Sequence, residues 1–253
     1  MKTIWITGGS SGIGLATAKK FSKEKWRVII CSSNENKLNE AIRILKNYTE
    51  NKEIYSIKCN IANRNEVRDT VEKIENNIAP INLALLNAAA YSPNKSQEFD
   101  IENYEKLIDV NIKGTLYCIE ILEKFMKTRK NNHIAIVSSP VGYRGLPTAG
   151  AYGLTKAGLI NLAESLYFDL KKSSIKISII NPGFIESEST KMNTFPMPFI
   201  KSADFAANNI YNGLTKSYRF EIYFPKFFLL IMKIARILPY RIYFYLIKKI
   251  TGL

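Results

Sequence analysis

Residues 4–14 read Ile4-Trp5-Ile6-Thr7-Gly8-Gly9-Ser10-Ser11-Gly12-Ile13-Gly14. A short apolar run suited to a buried strand meets a glycine-rich turn, and a helical pattern opens near Ile13. Gly8, Gly12 and Gly14 stand in a G-x3-G-x-G spacing. Glycine permits the positive φ such a turn needs and lets backbone come close to a pyrophosphate. The next helix offers free N–H groups and a favourable dipole to an anion. An ordinary glycine turn is the competing reading. The loop's position after the first strand and at the mouth of a helix favours a dinucleotide cradle. Gly8, Ser10, Ser11, Gly12, Ile13 and Gly14 are therefore candidate cofactor-binding residues.

Outward from this loop, short apolar runs alternate with amphipathic stretches. Strands are predicted at 4–7, 28–31, 54–58, 83–87, 134–138, 175–180 and 220–224, with helices near 13–24, 36–48, 64–77, 102–128, 151–172 and 202–214. This alternation predicts an α/β, Rossmann-type doubly wound fold: a parallel sheet of about seven strands, helices on both faces, and ligands at the carboxyl ends of the strands. No linker-like stretch divides residues 1–225, which read as one domain including a substrate region at 184–215. Residues 226–253 read as a helical, basic and aromatic C-terminal extension. The loop 184–201, with Pro196 and Pro198, is the longest irregular stretch, and loops of that length usually have a job.

Composition narrows the chemistry. Only Met1 and Lys2 precede the first apolar run, and glycines soon come after it; no secretory signal core is expected. Cys31, Cys59 and Cys118 lack close spacing and read as reduced thiols of a cytoplasmic protein. His133 is the sole histidine, which excludes a His-based metal site and a Ser-His-Asp triad; no metal is expected. It reads as a residue at the start of a strand.

The second strand ends in Cys31-Ser32-Ser33-Asn34. A fold that selects NAD usually carries an acid there for the ribose 2′-hydroxyl. Here no acid repels a 2′-phosphate, and Ser33 and Asn34 offer hydrogen bonds, with Lys37 close in sequence. The reading favours NADP, with NAD left open.

Residues 152–156 read Tyr-Gly-Leu-Thr-Lys, and Ser139 comes directly after the fifth predicted strand. Tyr152 and Lys156 are i and i+4 on a predicted helix and share a face. A phenol near its ordinary pKa of about 10 is a poor acid–base group at neutral pH, and an adjacent ammonium is expected to lower it. A serine hydroxyl at the sheet edge can hold a reacting oxygen.

With these motifs in order, residues 3–188 resemble the short-chain dehydrogenase/reductase family. Thr7–Gly14 resembles its cofactor loop, Asn87-Ala88-Ala89 its Asn-Ala-Gly element, and Asn111 its helix asparagine. Ser139, Tyr152 and Lys156 match its catalytic serine, tyrosine and lysine. Asn181-Pro182-Gly183 with Ser187 resembles its Pro-Gly-x3-Thr element. The resemblance implies that Tyr152 exchanges a proton with a substrate oxygen and that Lys156 holds the nicotinamide ribose. It implies that Ser139 positions a carbonyl and Asn111 anchors a relay water. Asn60, Asn87, Pro182, Gly183, Ile185 and Ser187 are added to the cofactor set. Three departures stand out: Asn60 in place of a frequent aspartate, Ala89 in place of glycine, and Ser187 in place of threonine. None removes a catalytic group. The expected activity is hydride transfer to or from a ketone or aldehyde. A silent cofactor sensor docked at a membrane is the alternative. Nucleotide-sugar epimerase chemistry is disfavoured by the short 184–215 region.

The tail is the least familiar part. Residues 216–253 hold eight Lys or Arg against one acid, Glu221, on a chain of net charge +14. Lys233, Arg236, Arg241 and Pro239 interrupt the apolar run 227–247, which disfavours a membrane span. Lys226, Lys233, Arg236 and Tyr240 fall near one helical stripe. That suits either packing over the cleft or a subunit interface, or an interfacial helix at 226–250 with its basic stripe toward anionic headgroups at the inner face of a membrane. Either reading gives a greasy neighbourhood and suggests a hydrophobic or lipid-like substrate. Nucleic-acid binding is not expected, because aliphatic residues dilute the basic ones. The family resemblance suggests a homodimer or homotetramer paired through helices 102–128 and 151–172.

Overall fold

The computed structural model describes residues 1–93, 99–193 and 197–251; Pro196 lies outside them. Seven strands form one sheet: β1 (Thr3–Thr7), β2 (Arg27–Ser32), β3 (Ile54–Lys58), β4 (Leu83–Leu86), β5 (Asn132–Val137), β6 (Ile175–Pro182) and β7 (Glu221–Phe224). Their order is β3-β2-β1-β4-β5-β6-β7, and every pair is parallel. The strand order reverses between β1 and β4, the topological switch point where a ligand crevice opens in such folds. The helices are α1 (Gly12–Lys23), α2 (Glu35–Tyr48), α3 (Arg64–Asn77), α4 (Ile101–Leu107), α5 (Gly114–Met126), α6 (Gly150–Asp169), α7 (Ala203–Thr215), α8 (Lys226–Ile237) and α9 (Tyr240–Thr251).

The period of two in the strands builds two cores. Ile4, Ile6, Val28 and Ile30 face one side and pack with Phe21 of α1, Leu38 and Leu45 of α2 and Ile210 of α7. Trp5, Ile29 and Cys31 face the other, with Val67 of α3, Leu122 of α5, Leu159 of α6 and Leu229 of α8. A strand buried on both faces must be apolar throughout, and β1 is buried at every position. His133 sits inside β5 rather than ahead of it, hydrogen-bonded to the Ser178 hydroxyl at 2.8 Å. Burial pulls its pKa down to about 4, so it is a neutral core residue.

Two elements depart from the sequence reading. The helix expected at 102–128 is interrupted by a π-helical turn, Ile108–Lys113, which carries Asn111. The tail's basic stripe is also divided: Lys233 turns toward the protein, whereas Lys226 and Tyr240 stay exposed. Lys233 pairs with Glu221 and lies 3.9 Å from the Tyr223 ring centroid, and Arg236 lies 3.8 Å from Glu164. An ammonium can leave water when a carboxylate waits for it, and Glu221 is on β7. Among the described residues no helix is long and apolar enough to cross a membrane.

At the amino end of the sheet, Arg129 clamps two connections. It makes two 2.6 Å hydrogen bonds to Glu75 and donates to the Ile81 carbonyl at 2.9 Å. The Glu75 side chain is only 3% exposed. Arg129→Ala leaves that carboxylate buried without its partner and is expected to lower unfolding free energy by about 3 kcal/mol. Urea denaturation monitored by circular dichroism checks this.

Candidate active site

A cleft of about 570 Å³ opens over the carboxyl edge of the sheet, within the range of small-molecule sites. Its floor is the glycine loop. Gly8 has φ +63°, which a side chain rarely tolerates. A Cβ on Gly14 would lie 2.2 Å from the Gly8 carbonyl oxygen, so α1 starts hard against the loop. Asn87 fastens this arrangement from the end of β4. Its carboxamide donates to the carbonyls of Thr7 and Gly8, each at 3.1 Å. The Thr7 hydroxyl accepts from the backbone N–H of Asn87 and Ala88 at 3.0 Å. Ser11, the residue before α1, makes no side-chain bond to the helix N–H groups. Those donors remain available to an anion, so the loop fits the pyrophosphate of a dinucleotide. Gly8, Ser10, Ser11, Gly12 and Ile13 line the cleft; Gly14 lies behind it.

Beside the loop, Ser10 donates to Ser32 at 3.0 Å, and Ser32, Ser33 and Lys37 line the wall. Asn34 does not. Its carboxamide caps α2 by accepting from the Lys37 N–H at 3.0 Å, as an N-cap residue should. Lys37 pairs with Glu188 from the opposite lip. Asn60 lines the cleft, with its carboxamide oxygen accepting from Ala62 at 3.1 Å. Ala89 lies exposed in the cleft without left-handed backbone, so its methyl group brings no local strain.

Ser139, Tyr152 and Lys156 converge at the other end. The Ser139 hydroxyl lies beside the Tyr152 phenol. Lys156, 2% exposed, donates to the Val137 carbonyl at 2.9 Å, with its ammonium 5.3 Å from the Tyr152 ring centroid. The charge balance departs from expectation. Burial pushes the Tyr152 phenol well above its ordinary range and outweighs the lowering by the Ser139 hydroxyl. Burial also pulls Lys156 down to about 7. The ammonium is engaged by the Val137 carbonyl, and burial is the largest influence on the phenol. Asn111 stands behind the cleft. Its Oδ1 accepts from Ala90 at 2.7 Å, and its Nδ2 donates to the Ala90 carbonyl at 3.0 Å and to Thr155 at 3.1 Å. Its carboxamide thus ties the loop after β4 to α6, with no direct bond to Lys156. Tyr91, unmarked in the sequence reading, packs edge-on against Tyr152 at 4.9 Å.

Residues 2–196 match the short chain dehydrogenase family. The chain belongs to that family. It is an oxidoreductase. It is 36% identical over 195 residues to a 3-oxoacyl-[acyl-carrier-protein] reductase of Rickettsia felis, covering 76% of each chain. An uncharacterized oxidoreductase from Myxococcus xanthus is 26% identical over 238 residues, 94% of this chain and 93% of that one. In fold it is similar to an NADPH-bound short chain oxidoreductase from Pseudomonas aeruginosa PAO1. The TM-score there is 0.81 at 20% identity, covering 88% of this chain and 94% of the other.

In this short-chain dehydrogenase the far wall is built after β6. Pro182, Gly183, Ile185 and Ser187 line the cleft, joined by Phe184, Thr190 and Asn193. The Ser187 N–H donates to the Thr190 hydroxyl at 2.9 Å, which donates on to the Ile185 carbonyl at 2.9 Å. The tail closes the wall: Phe228 and Met232 of α8 line it, and the Phe184 and Phe228 rings lie 5.6 Å apart. Glu221 joins tail to site, accepting from Asn181 at 2.9 Å, from the Tyr143 hydroxyl and from Lys233. The single acid of a basic tail was the signal for this junction.

Because folding lowers the Lys156 pKa, the unfolded chain binds the extra proton between about pH 7 and pH 10. Below that window both states are charged and the burial penalty is fully felt; it fades as pH rises through it. The melting-temperature difference between Lys156→Met and wild type is therefore expected to be most favourable to the variant at pH 6–7 and to shrink toward pH 10. Calorimetry across that range tests it; a pH-independent difference contradicts it.

Proposed function

We propose that the protein is an NADP-dependent reductase of a hydrophobic ketone or aldehyde, or runs the reverse alcohol oxidation. The observation that carries this reading is the convergence of Ser139 and Tyr152 hydroxyls on one cleft with the glycine loop at one end and an apolar wall at the other. The nicotinamide dinucleotide, when bound, supplies or takes up the hydride. Gly8 through Ile13 would hold its pyrophosphate, Asn60 would lie by the adenine, and Pro182, Gly183, Ile185 and Ser187 would meet the nicotinamide. Ser139 would hold the carbonyl oxygen by donating to it. Tyr152, kept protonated by burial, would give that oxygen its proton as the carbonyl carbon is reduced. Lys156 would bind the nicotinamide ribose and return a proton to Tyr152. Asn111 would hold α6 and the loop after β4 at the separation these contacts need.

The preference for NADP rests on Ser33 and Lys37 beside an acid-free strand end, and the NADPH-bound Pseudomonas structure is consistent with it. The hydrophobic substrate rests on Leu146, Phe184, Phe228 and Met232 in the wall. Pairing into a dimer or tetramer is supported by exposed Leu116 on α5 and Leu154 and Phe168 on α6. A cytoplasmic site is supported by three buried free thiols, and peripheral membrane contact by the apolar surface of the tail.

Tyr152→Phe is expected to reduce NADPH-dependent reduction of hydrophobic ketones by roughly 100-fold or more while leaving NADPH binding by fluorescence titration intact. Undiminished turnover would sink the proposal. Lys37→Glu is expected to weaken NADPH about tenfold, near 1.4 kcal/mol, and to spare NADH. Equal losses for both cofactors would remove Lys37 from 2′-phosphate recognition.

A further inference from the structure

The helix α8 has two opposed faces. Leu229 and Met232 are buried, Lys233 is half-buried on Glu221, and Phe228 and Met232 line the cleft. Phe227, Leu230, Ile231, Ile234 and Ile237 form the opposite stripe at i, i+3, i+4, i+7 spacing, and all are exposed, Ile237 by 80%. The exposed Phe199 extends this stripe, its ring 5.7 Å from that of Phe227. In α9 only Tyr243 is buried; Tyr240, Ile242, Phe244, Tyr245, Leu246 and Ile250 are exposed. Water does not favour a continuous apolar surface of this kind.

The face is held rigidly. The Arg144 guanidinium donates to the carbonyls of Arg236 at 3.1 Å and Leu238 at 3.2 Å, which end α8. It also lies 4.3 Å from the Tyr240 ring centroid and 4.6 Å from that of Tyr243. The Tyr243 hydroxyl donates to the Gly145 carbonyl at 2.5 Å. The tail is thus pinned to the loop after Ser139, with its greasy side outward.

Charge decides what covers it. Residues 226–253 contain six Lys or Arg and no acid, on a chain of net charge +14. A second copy would bring the same positive charge to the face. A nucleic acid would answer the charge and leave the aliphatic stripe wet. An anionic bilayer answers both, because basic side chains lie at phosphate level while apolar and aromatic ones enter the acyl boundary. Each helix has 12 residues, about 18 Å, too short to span a bilayer.

We propose that the exposed faces of α8 and α9 seat the protein on the surface of an anionic phospholipid bilayer, with the Phe227–Ile237 stripe inserted and Lys226, Arg241, Lys248 and Lys249 at the headgroups. The inner face of α8 is then the wall between lipid and cleft. This deepens the apolar-substrate reading, on which its functional value rests: a carbonyl compound dissolved in the membrane meets the cleft without crossing water.

The test is co-sedimentation of the full chain with phosphatidylcholine vesicles and with phosphatidylcholine vesicles carrying roughly one-third phosphatidylglycerol. Wild type is expected to sediment with the anionic vesicles. Leu230→Glu/Ile234→Glu, exposed and outside the cleft, is expected to weaken that binding at least about tenfold while NADPH binding stays unchanged. Lys248→Glu/Lys249→Glu is expected to remove the preference for anionic lipid. Failure of wild type to sediment, or full binding by the Leu230/Ile234 variant, overturns the proposal. So does light scattering in which that variant splits a lipid-free dimer, since a second copy then covers the face. Vesicle binding is read without turnover. An inactive protein that sediments keeps the docking and loses the reductase, and an active one that does not sediment does the reverse.

Discussion

An amine held almost wholly out of water, Lys156, sets the geometry on which the Ser139–Tyr152 end of the cleft depends. Its stem reaches from α6 to the last carbonyl of β5, and the Ser138 hydroxyl donates to the Lys156 carbonyl at 2.8 Å. Gly142 lies so near this turn of α6 that a Cβ would meet the Lys156 carbonyl carbon at 2.7 Å. Helix, strand end and the 140–142 turn are therefore one packed unit. Tyr152, one turn earlier on α6, inherits its position from that docking, and Ser139 inherits its own from the turn. The cost is desolvation, visible in an amine drawn down toward neutrality. A fold that tolerates this cost keeps a site where a polar ligand regains for the amine the interactions that burial removed.

Strand order does the rest. Reversal between β1 and β4 opens the edge where the glycine loop, Asn87 and the β5 end meet. The polar half of the cleft comes from the ends of β1, β2 and β4. The apolar half comes from the chain beyond β6, namely Phe184 and α8. The topology thus brings a polar surface and an apolar surface to the same cleft. Glu221 braces the apolar half: its carboxylate accepts from the Asn181 carboxamide, just before Pro182-Gly183, and from Lys233 of α8.

Much of this was legible in the sequence. Seven apolar runs and the turns between them predicted the sheet, because strands buried on both faces read as continuous apolar segments. The glycine loop and Ser139, Tyr152 and Lys156 were legible as motifs, and the fold brings them to one cleft. Side-chain commitments were not. Asn34 looked available to a phosphate, yet an asparagine before a helix is worth more as its cap. Asn111 looked like a relay residue, and its carboxamide is occupied by Ala90 and Thr155 inside a π turn that periodicity of 3.6 cannot register. Tyr91 carried no motif; its role comes from an edge contact with Tyr152 that only the folded chain creates.

The tail shows why a stripe is easier to read than its direction. Lys226, Lys233, Arg236 and Tyr240 do recur at helical spacing, but spacing says nothing of which side meets the protein. On an ordinary surface helix the apolar stripe faces in. Here the inward side is chosen by Glu221, the one acid in a basic segment, which draws Lys233 down onto β7 and carries Leu229 and Met232 into the core with it. With apolar residues on nearly every side, α8 loses little hydrophobic burial whichever way it turns, so one ion pair and its ring contacts tip the balance. The outward apolar stripe thus goes with an inward Lys233, which joins Asn181 and Tyr143 as donors to one half-buried carboxylate.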